Sequence, residues 1–210
     1  MRHLIYQCVA VSGVLFFASV AGMDVPDDAN DIEPLTVGQS APRFTVYQTD
    51  GRPYVFDPGT LEKPVVLITY RGGWCPYCNL HLKELRDAEP RLLEMGFEVI
   101  FLSTDRPEIL YASLMDWVSD INYTLLSDSK MDGSKALGIA FRMEESDYER
   151  LKSLGIDMEK TTGETHHLLP VPAVFIIDTQ GVIRFAYTNP DYKVRLEAER
   201  ILAAAQGVVD

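Results

Sequence analysis

The sequence predicts an α/β protein in which a mixed central sheet is flanked by helices on both faces. Three observations carry this. Val65 to Tyr70 and Phe97 to Thr104 are short, nearly continuous apolar runs, as expected of strands buried on both sides. Between them runs a helical stretch that opens on a cysteine and stops at Gly96, giving a strand–helix–strand unit. Late in the chain, two more apolar runs flank the turn at Gln180-Gly181 and precede an amphipathic stretch, adding a hairpin and a covering helix.

The N-terminus stands apart. Met1-Arg2-His3 is a basic start, Leu4 to Val20 is apolar, and Ser19-Val20-Ala21 offers small residues for cleavage, so residues 1–21 read as a secretory signal. An uncleaved membrane anchor is the alternative, but roughly 17 residues interrupted by Gln7 and Ser12 are short for a span. Export is therefore expected, with the bacterial periplasm as the compartment. Cys8 leaves with the signal, and Cys75 and Cys78 are then the cysteines of the mature chain.

Residues 22–34 are acidic and poor in apolar groups (Asp24, Asp27, Asp28, Asp31, Glu33) and read as a flexible leader. A single domain is expected over residues 35–210. Phe44 to Tyr47 and Pro53 to Phe56 flank Asp50-Gly51 as a hairpin. After Val65 to Tyr70, Arg71-Gly72-Gly73 forms a loop and a helix starts at Cys75. Leu80, Leu82, Leu85 and Ala88 are expected to give that helix an apolar side, and Pro90 is expected to kink it. Pro107 to Val118 reads as a helix, Tyr123 to Leu126 as a strand, and Lys135 to Leu137 as a brief helix after Asp132-Gly133-Ser134. Arg142 to Leu168 looks like an insertion holding a polar helix at Glu144 to Leu154 and a loop at Lys160 to Glu164. Ala173 to Ile177 and Val182 to Tyr187 form the late hairpin, with Asp178 ending the first strand. Asp191 to Gln206 reads as the closing helix, with Val194, Ile201 and Leu202 facing inward.

Composition narrows the function. The chain has 210 residues, 47% of them apolar, and a formal charge of −12. That balance, with no run of Lys or Arg, argues against nucleic acid as a partner. The aromatic residues along the strands then read as core rather than as a base-stacking platform.

The chemistry sits in Trp74-Cys75-Pro76-Tyr77-Cys78. Cys75 falls at a helix N-cap and Pro76 at the first helical position, where a missing N–H costs nothing. The first turn then directs free N–H groups and the positive end of the helix dipole at the Cys75 sulfur, favouring thiolate, the nucleophilic form. Cys78, almost one turn on, can close a disulfide with it. Such a bridge closes too small a loop to serve as a structural staple. Cys75 and Cys78 are thus the candidate catalytic pair, with Pro76 and Tyr77 tuning its potential. Arg71 reads either as a cation for the thiolate or as a solvated loop residue. Trp74 is either a lid over the sulfur or core packing.

Tyr70-Arg71-Gly72-Gly73-Trp74-Cys75-Pro76-Tyr77-Cys78, together with Leu169-Pro170-Val171-Pro172-Ala173-Val174-Phe175-Ile176-Ile177-Asp178, resembles the thioredoxin superfamily. More narrowly, the chain is similar to its alkyl hydroperoxide reductase/thiol-specific antioxidant (peroxiredoxin-like) branch over about residues 35 to 206. The resemblance implies a thioredoxin fold and a cofactor-free antioxidant oxidoreductase. A peroxide or a protein disulfide would be its substrate, a thioredoxin-like external dithiol its electron donor, and a Cys75–Cys78 disulfide its oxidised form. It also implies a cis Val171–Pro172 peptide facing the cysteines, whose backbone could pair with an extended substrate. The chain departs from the family pattern at three positions. Ile68 and Gly72 stand where the family has a proline and a peroxide-orienting threonine, and Pro172 stands where it has an arginine. Without those groups, peroxide activation rests on the helix N-terminus and Arg71, while the adjacent Cys78 suits dithiol–disulfide exchange.

No metal is expected. A zinc site needs four ligands, and beside the two thiols only His81, His166 and His167 are candidates. A copper chaperone is the binding-module alternative, since soft thiolates select Cu(I). His166-His167 reads more simply as an exposed polar pair.

Overall fold

In a computed structural model of the chain, the described residues are 24–117 and 123–209. The segment read as a secretory signal, or alternatively as an anchor, lies outside them. Among the described residues no helix is long and apolar enough to cross a membrane.

β1 (Phe44–Tyr47) and β2 (Pro53–Phe56) form the expected hairpin, with Phe44 opposite Phe56 and their rings stacked at 4.8 Å. β3 (Val65–Tyr70) and β4 (Glu98–Ser103) pair in parallel, and α1 (Pro76–Glu94) crosses between them. α2 (Pro107–Trp117) leads to β5 (Thr124–Ser127), which is parallel to β4. α3 (Asp132–Ala136) precedes β6 (Ala140–Arg142). α4 (Glu145–Ser153), α5 (Met158–Thr162) and β7 (Leu168–Pro170) follow. β8 (Ala173–Ile177), β9 (Ile183–Thr188) and α6 (Ala198–Val209) complete the chain.

The sheet order is β2-β1-β5-β4-β3-β8-β9, with β8 antiparallel to both β3 and β9; β6 and β7 form a separate antiparallel pair. The central strands alternate between two cores, which is why their sequences are apolar throughout. Val66 and Ile68 of β3, Val99 and Phe101 of β4, and Val174 and Ile176 of β8 join Leu85, Leu92, Leu110, Ile201 and Leu202 of α1, α2 and α6. The alternate residues Val65, Leu67, Ile100, Leu102, Phe175 and Ile177 join Phe44, Val46, Leu137 and Ile139 on the other face.

Four expectations are corrected. Residues 24–34 of the leader expected to be flexible lie on the domain: Arg142 N–H donates to Pro26 O (2.7 Å), and Ala29 and Ile32 pack on the core. Apolar residues interspersed among the acids anchor it. Residues 160–164, expected as loop, belong largely to α5, whose N-cap Asp157 accepts from Lys160 N–H. The C-terminal helix starts at Ala198 rather than Asp191, because residues 191–197 are drawn onto the cysteines. His166 and His167 are half-buried rather than exposed: His166 Nε2 bonds Ser129 O at 2.7 Å, and His167 stacks on Tyr148 and meets Glu159 at 2.9 Å.

Candidate active site

Cys75 is the N-cap of α1 and Pro76 its first residue, as the spacing requires. Cys75 N–H donates to Gly72 O, closing the turn that turns the end of β3 into the helix. Neighbouring side chains, Thr104 and Asp105 among them buried, brace the loop. Thr104 Oγ1 donates to Arg71 O (2.7 Å), Asp105 Oδ2 accepts from Gly73 N–H (2.7 Å), and Asn79 Nδ2 donates to Gly73 O (2.9 Å). Gly72 adopts φ +125, and a Cβ there would stand 2.6 Å from both Asp105 Oδ1 and Trp74 Nε1. The threonine that the family resemblance would place here is therefore sterically excluded in this chain.

Both cysteines are free thiols and almost wholly buried, each 1% exposed. The Cys75 thiol is lowered to about 6. The Cys78 S–H bonding to its sulfur is the largest cause, helped by the Cys78 backbone N–H and by the guanidiniums of Arg71 and Arg195 against the opposing effect of burial. Burial and the hydrogen bond given to Cys75 push Cys78 well above the ordinary thiol range. The two sulfurs are thus differentiated: Cys75 carries the thiolate and Cys78 keeps its proton.

Arg195, in the segment between β9 and α6, was not visible as a candidate from sequence. Its Nη2 lies 3.1 Å from Cys78 Sγ and 3.9 Å from Cys75 Sγ, while its Nε and Nη1 are buried without a partner. Arg71 is buried (8% exposed), not solvated. Its guanidinium lies over the Tyr192 ring at 4.5 Å and the Trp74 ring at 5.3 Å, and its Nε also has no partner. Trp74 is half-buried and packs between the α1 core and a cluster of Met143, Tyr148 and Leu169. Tyr77 is exposed beside Tyr192. Asp105, also missed, is fully buried and is raised to about 6 by that burial.

The structure corrects one further reading. No peptide bond among the described residues is cis, so Val171–Pro172 is trans. The backbone of Val171 is already committed: its N–H donates to Ile139 O, and its carbonyl accepts from Thr69 Oγ1 (3.0 Å). Thr69 Oγ1 also accepts from Ala173 N–H, so one side chain of β3 ties both sides of Pro172 and leaves that backbone unavailable to a substrate.

A cleft of 350 Å³ opens over the site, a size suited to a small ligand. Arg71, Trp74 and Cys75 line its base, the insertion contributes Met143, Leu151 and Ile156, and the leader contributes Asp27 and Asp28. Among the described residues no group of three or more His, Cys, Asp or Glu is arranged to hold a metal, and the side chains facing the sulfurs are cations, which repel one.

Comparison with known proteins bears on the family and the fold. Thiol-disulfide oxidoreductase ResA of Bacillus cereus is 23% identical over 167 residues, covering 80% of this chain and 78% of that protein. Peroxiredoxin Bcp of Escherichia coli is 30% identical over 108 residues, 51% of this chain and 67% of that protein. Peroxidoxin BcpB of Mycobacterium tuberculosis shares the fold at a TM-score of 0.58 and 20% identity, covering 83% of this chain and 98% of that one. The peroxiredoxin 6 of Arenicola marina, solved as a mutant, gives a TM-score of 0.64 at 19% identity, with 83% and 73% covered. The AhpC/TSA family pattern matches residues 37–186, which include the dithiol and the strands around it but not Arg195, and the chain belongs to the AhpC/TSA family.

Proposed function

We propose that the protein is an exported thiol-dependent oxidoreductase that reduces hydroperoxides, with Cys75 as the attacking thiolate and Cys78 as the resolving thiol. One observation carries this reading: a thiolate only 1% exposed, set between two guanidiniums at the base of a 350 Å³ cleft. A small hydroperoxide fits that access, whereas a folded protein's disulfide must first displace the walls. Arg195 supplies the cation that Pro172 does not. The basic start and apolar run of residues 1–20 support export.

The Cys75 sulfur attacks the terminal oxygen of the hydroperoxide. An S–O bond forms as the O–O bond breaks, and the electron pair leaves on the other oxygen, which takes a proton to become water or an alcohol. Arg71 and Arg195 favour this step by holding the sulfur as thiolate and facing the charge that develops on oxygen. Cys78 then attacks the sulfenic sulfur, forming S–S and expelling water. An external dithiol donor reduces the disulfide by exchange.

A second reading, dithiol exchange with protein disulfides, is favoured by the position of Cys78 one helical turn from Cys75 and by the ResA similarity across most of the chain. Stopped-flow mixing of the reduced protein with hydrogen peroxide, cumene hydroperoxide and a disulfide-bearing peptide separates the two. Peroxide reaction at least about a hundredfold faster than that of a free thiol is expected; a rate equal to that of a free thiol overturns the peroxidase reading.

A further inference from the structure

The cleft over Cys75 changes character from base to mouth. At the base, buried Arg71 directs its charge at the Cys75 thiolate. Beside it the insertion presents an apolar wall, with Leu151 and Ile156 half-buried and Met143 buried. The exposed lining residues form the rim, and they include the carboxylates Asp27 and Asp28 of the leader and Glu144 and Asp147 of the insertion.

Two of these carboxylates carry their own counter-charge. Asp27 faces Arg142 Nε (3.5 Å), and Asp147 accepts from Arg150 Nη2 (2.9 Å), which engages both cations of the rim. The other two meet neutral partners. Asp28 Oδ1 accepts from the backbone N–H and Nδ2 of Asn30 (2.8 Å each), bonds that hold its carboxyl below the usual carboxylate range. Glu144 Oε2 accepts from Ser146 Oγ (3.4 Å). The mouth therefore keeps a surplus of negative charge above an apolar wall.

A hydroperoxide that sets its terminal oxygen on Cys75 lays its substituent along Leu151 and Ile156 and points the far end at Asp28 and Glu144. We propose that Asp28 and Glu144 act as a charge filter, and Leu151 and Ile156 as an apolar wall, which together select uncharged organic hydroperoxides over those whose far end carries a carboxylate. A carboxylate brought to this mouth loses hydration and meets like charges, while an uncharged apolar group gains the wall. Asp28 lies outside residues 37–186, over which the family pattern matches, so this half of the filter belongs to the chain's own leader. The substrate preference rests on the hydroperoxide reading; the filter acts on any molecule that reaches Cys75 through the cleft.

Two matched pairs of probes test this on the full, reduced protein. Cumene hydroperoxide and its para-carboxylate derivative differ by one charge at the far end. Neutral dithiodipyridine and dianionic dithiobis(nitrobenzoate) need no peroxidase activity: the Cys75 thiolate forms a mixed disulfide with half of the probe and expels the other half as a coloured thiolate. Each rate is divided by that of β-mercaptoethanol with the same probe, which removes the probe's own reactivity. At ~10 mM ionic strength the uncharged member of each pair is expected to react about fivefold to tenfold faster, and the gap is expected to close at ~0.5 M. Asp28→Asn combined with Glu144→Gln is expected to narrow both gaps by about threefold. Leu151→Ala is expected to slow cumene hydroperoxide about threefold relative to hydrogen peroxide, and an unchanged ratio overturns the apolar wall.

An equal or reversed rate within the disulfide pair, or a gap that the double variant leaves unchanged, overturns the filter. Equal rates for the two hydroperoxides, each faster than with a free thiol, overturn the substrate preference. Hydroperoxide rates no faster than those of a free thiol, with a disulfide gap that narrows in the double variant, support the filter and remove only the peroxidase reading.

Discussion

Arg195 Nη2 stands 3.1 Å from Cys78 Sγ, although 117 residues separate them in sequence. The same nitrogen is 3.9 Å from Cys75 Sγ, so one guanidinium spans the dithiol. The contact links the last segment before α6 to the first turn of α1, and helices α1 and α6 themselves pack side by side. It places a cation against Cys78 and within 3.9 Å of Cys75, the sulfur that carries the charge.

Replacing Arg195 by Gln is expected to raise the Cys75 ionisation midpoint from its position of about 6. Because the thiolate is the form above that midpoint, the variant loses most at low pH. Iodoacetamide alkylation at pH 6 is expected to slow by about threefold to tenfold, with convergence on the wild-type rate above pH 9. Arg195→Lys restores part of the loss. Superimposable pH–rate curves for Arg195→Gln and wild type overturn the assignment.

The Cys78 S–H is the largest influence lowering Cys75, and the two obvious replacements differ in this respect. Cys78→Ser retains an O–H donor and is expected to keep the Cys75 midpoint near 6. Cys78→Ala removes the donor and is expected to raise it by more than Arg195→Gln does. Neither variant can form the disulfide, so both are expected to stop at the sulfenic acid after one equivalent of peroxide, detected by dimedone trapping. Equal midpoints for Ser and Ala show that the hydrogen bond is not the cause.

The elements legible in the sequence are those whose signal is local. β3 is a continuous apolar run, the β1–β2 hairpin has Asp50-Gly51, and α1 opens with Cys75-Pro76; each occurs where the pattern placed it. Residues 191–197 show the limit. Val194, Ile201 and Leu202 suit one amphipathic helix, but Val194 is exposed and Leu196 is buried, because the segment bends to put Leu196 O on His81 and Arg195 on the sulfurs. Tertiary contacts outweigh helix propensity there. Arg195 and Asp105 acquire their roles only through packing, and no spacing rule connects them to Cys75. The cis reading of Val171–Pro172 came from resemblance alone, and the Thr69 hydrogen bonds that commit this backbone lie across the sheet, outside any local motif.

Gly138 joins the leader to the site. Its φ is +71, and a Cβ there would collide with the carbonyl of Glu33. Gly138→Ala is expected to cost about 1–3 kcal/mol in urea unfolding, through left-handed backbone strain and displacement of the leader. Asp27 and Asp28 wall the cleft, so the same variant is expected to raise KM for cumene hydroperoxide while hydrogen peroxide is little affected. Unchanged stability and KM show that the leader does not depend on this contact.

The dithiol also marks the pH dependence of stability, with a definite sign. Cys75 titrates at about 6 in the fold against an ordinary value of 9.0, so its contribution is lost as pH falls through 6 and is fully present above 9. Between those limits the reduced protein gains stability as pH rises, by up to about 1.4 kcal/mol per pH unit. His81, held near 4, and Asp105 and Asp128, raised to about 6, titrate chiefly below this window. They are present equally in Cys75→Ser, so subtracting that variant's stability isolates the cysteine. Urea unfolding at pH 6.5, 7.5 and 8.5 is expected to give a difference that grows with pH for the reduced protein and stays flat for the oxidised one, in which Cys75 has no thiol to ionise. A flat difference for the reduced protein means that Cys75 ionises in the fold as it does in the unfolded chain, and the thiolate between two guanidiniums is then the wrong description of this site.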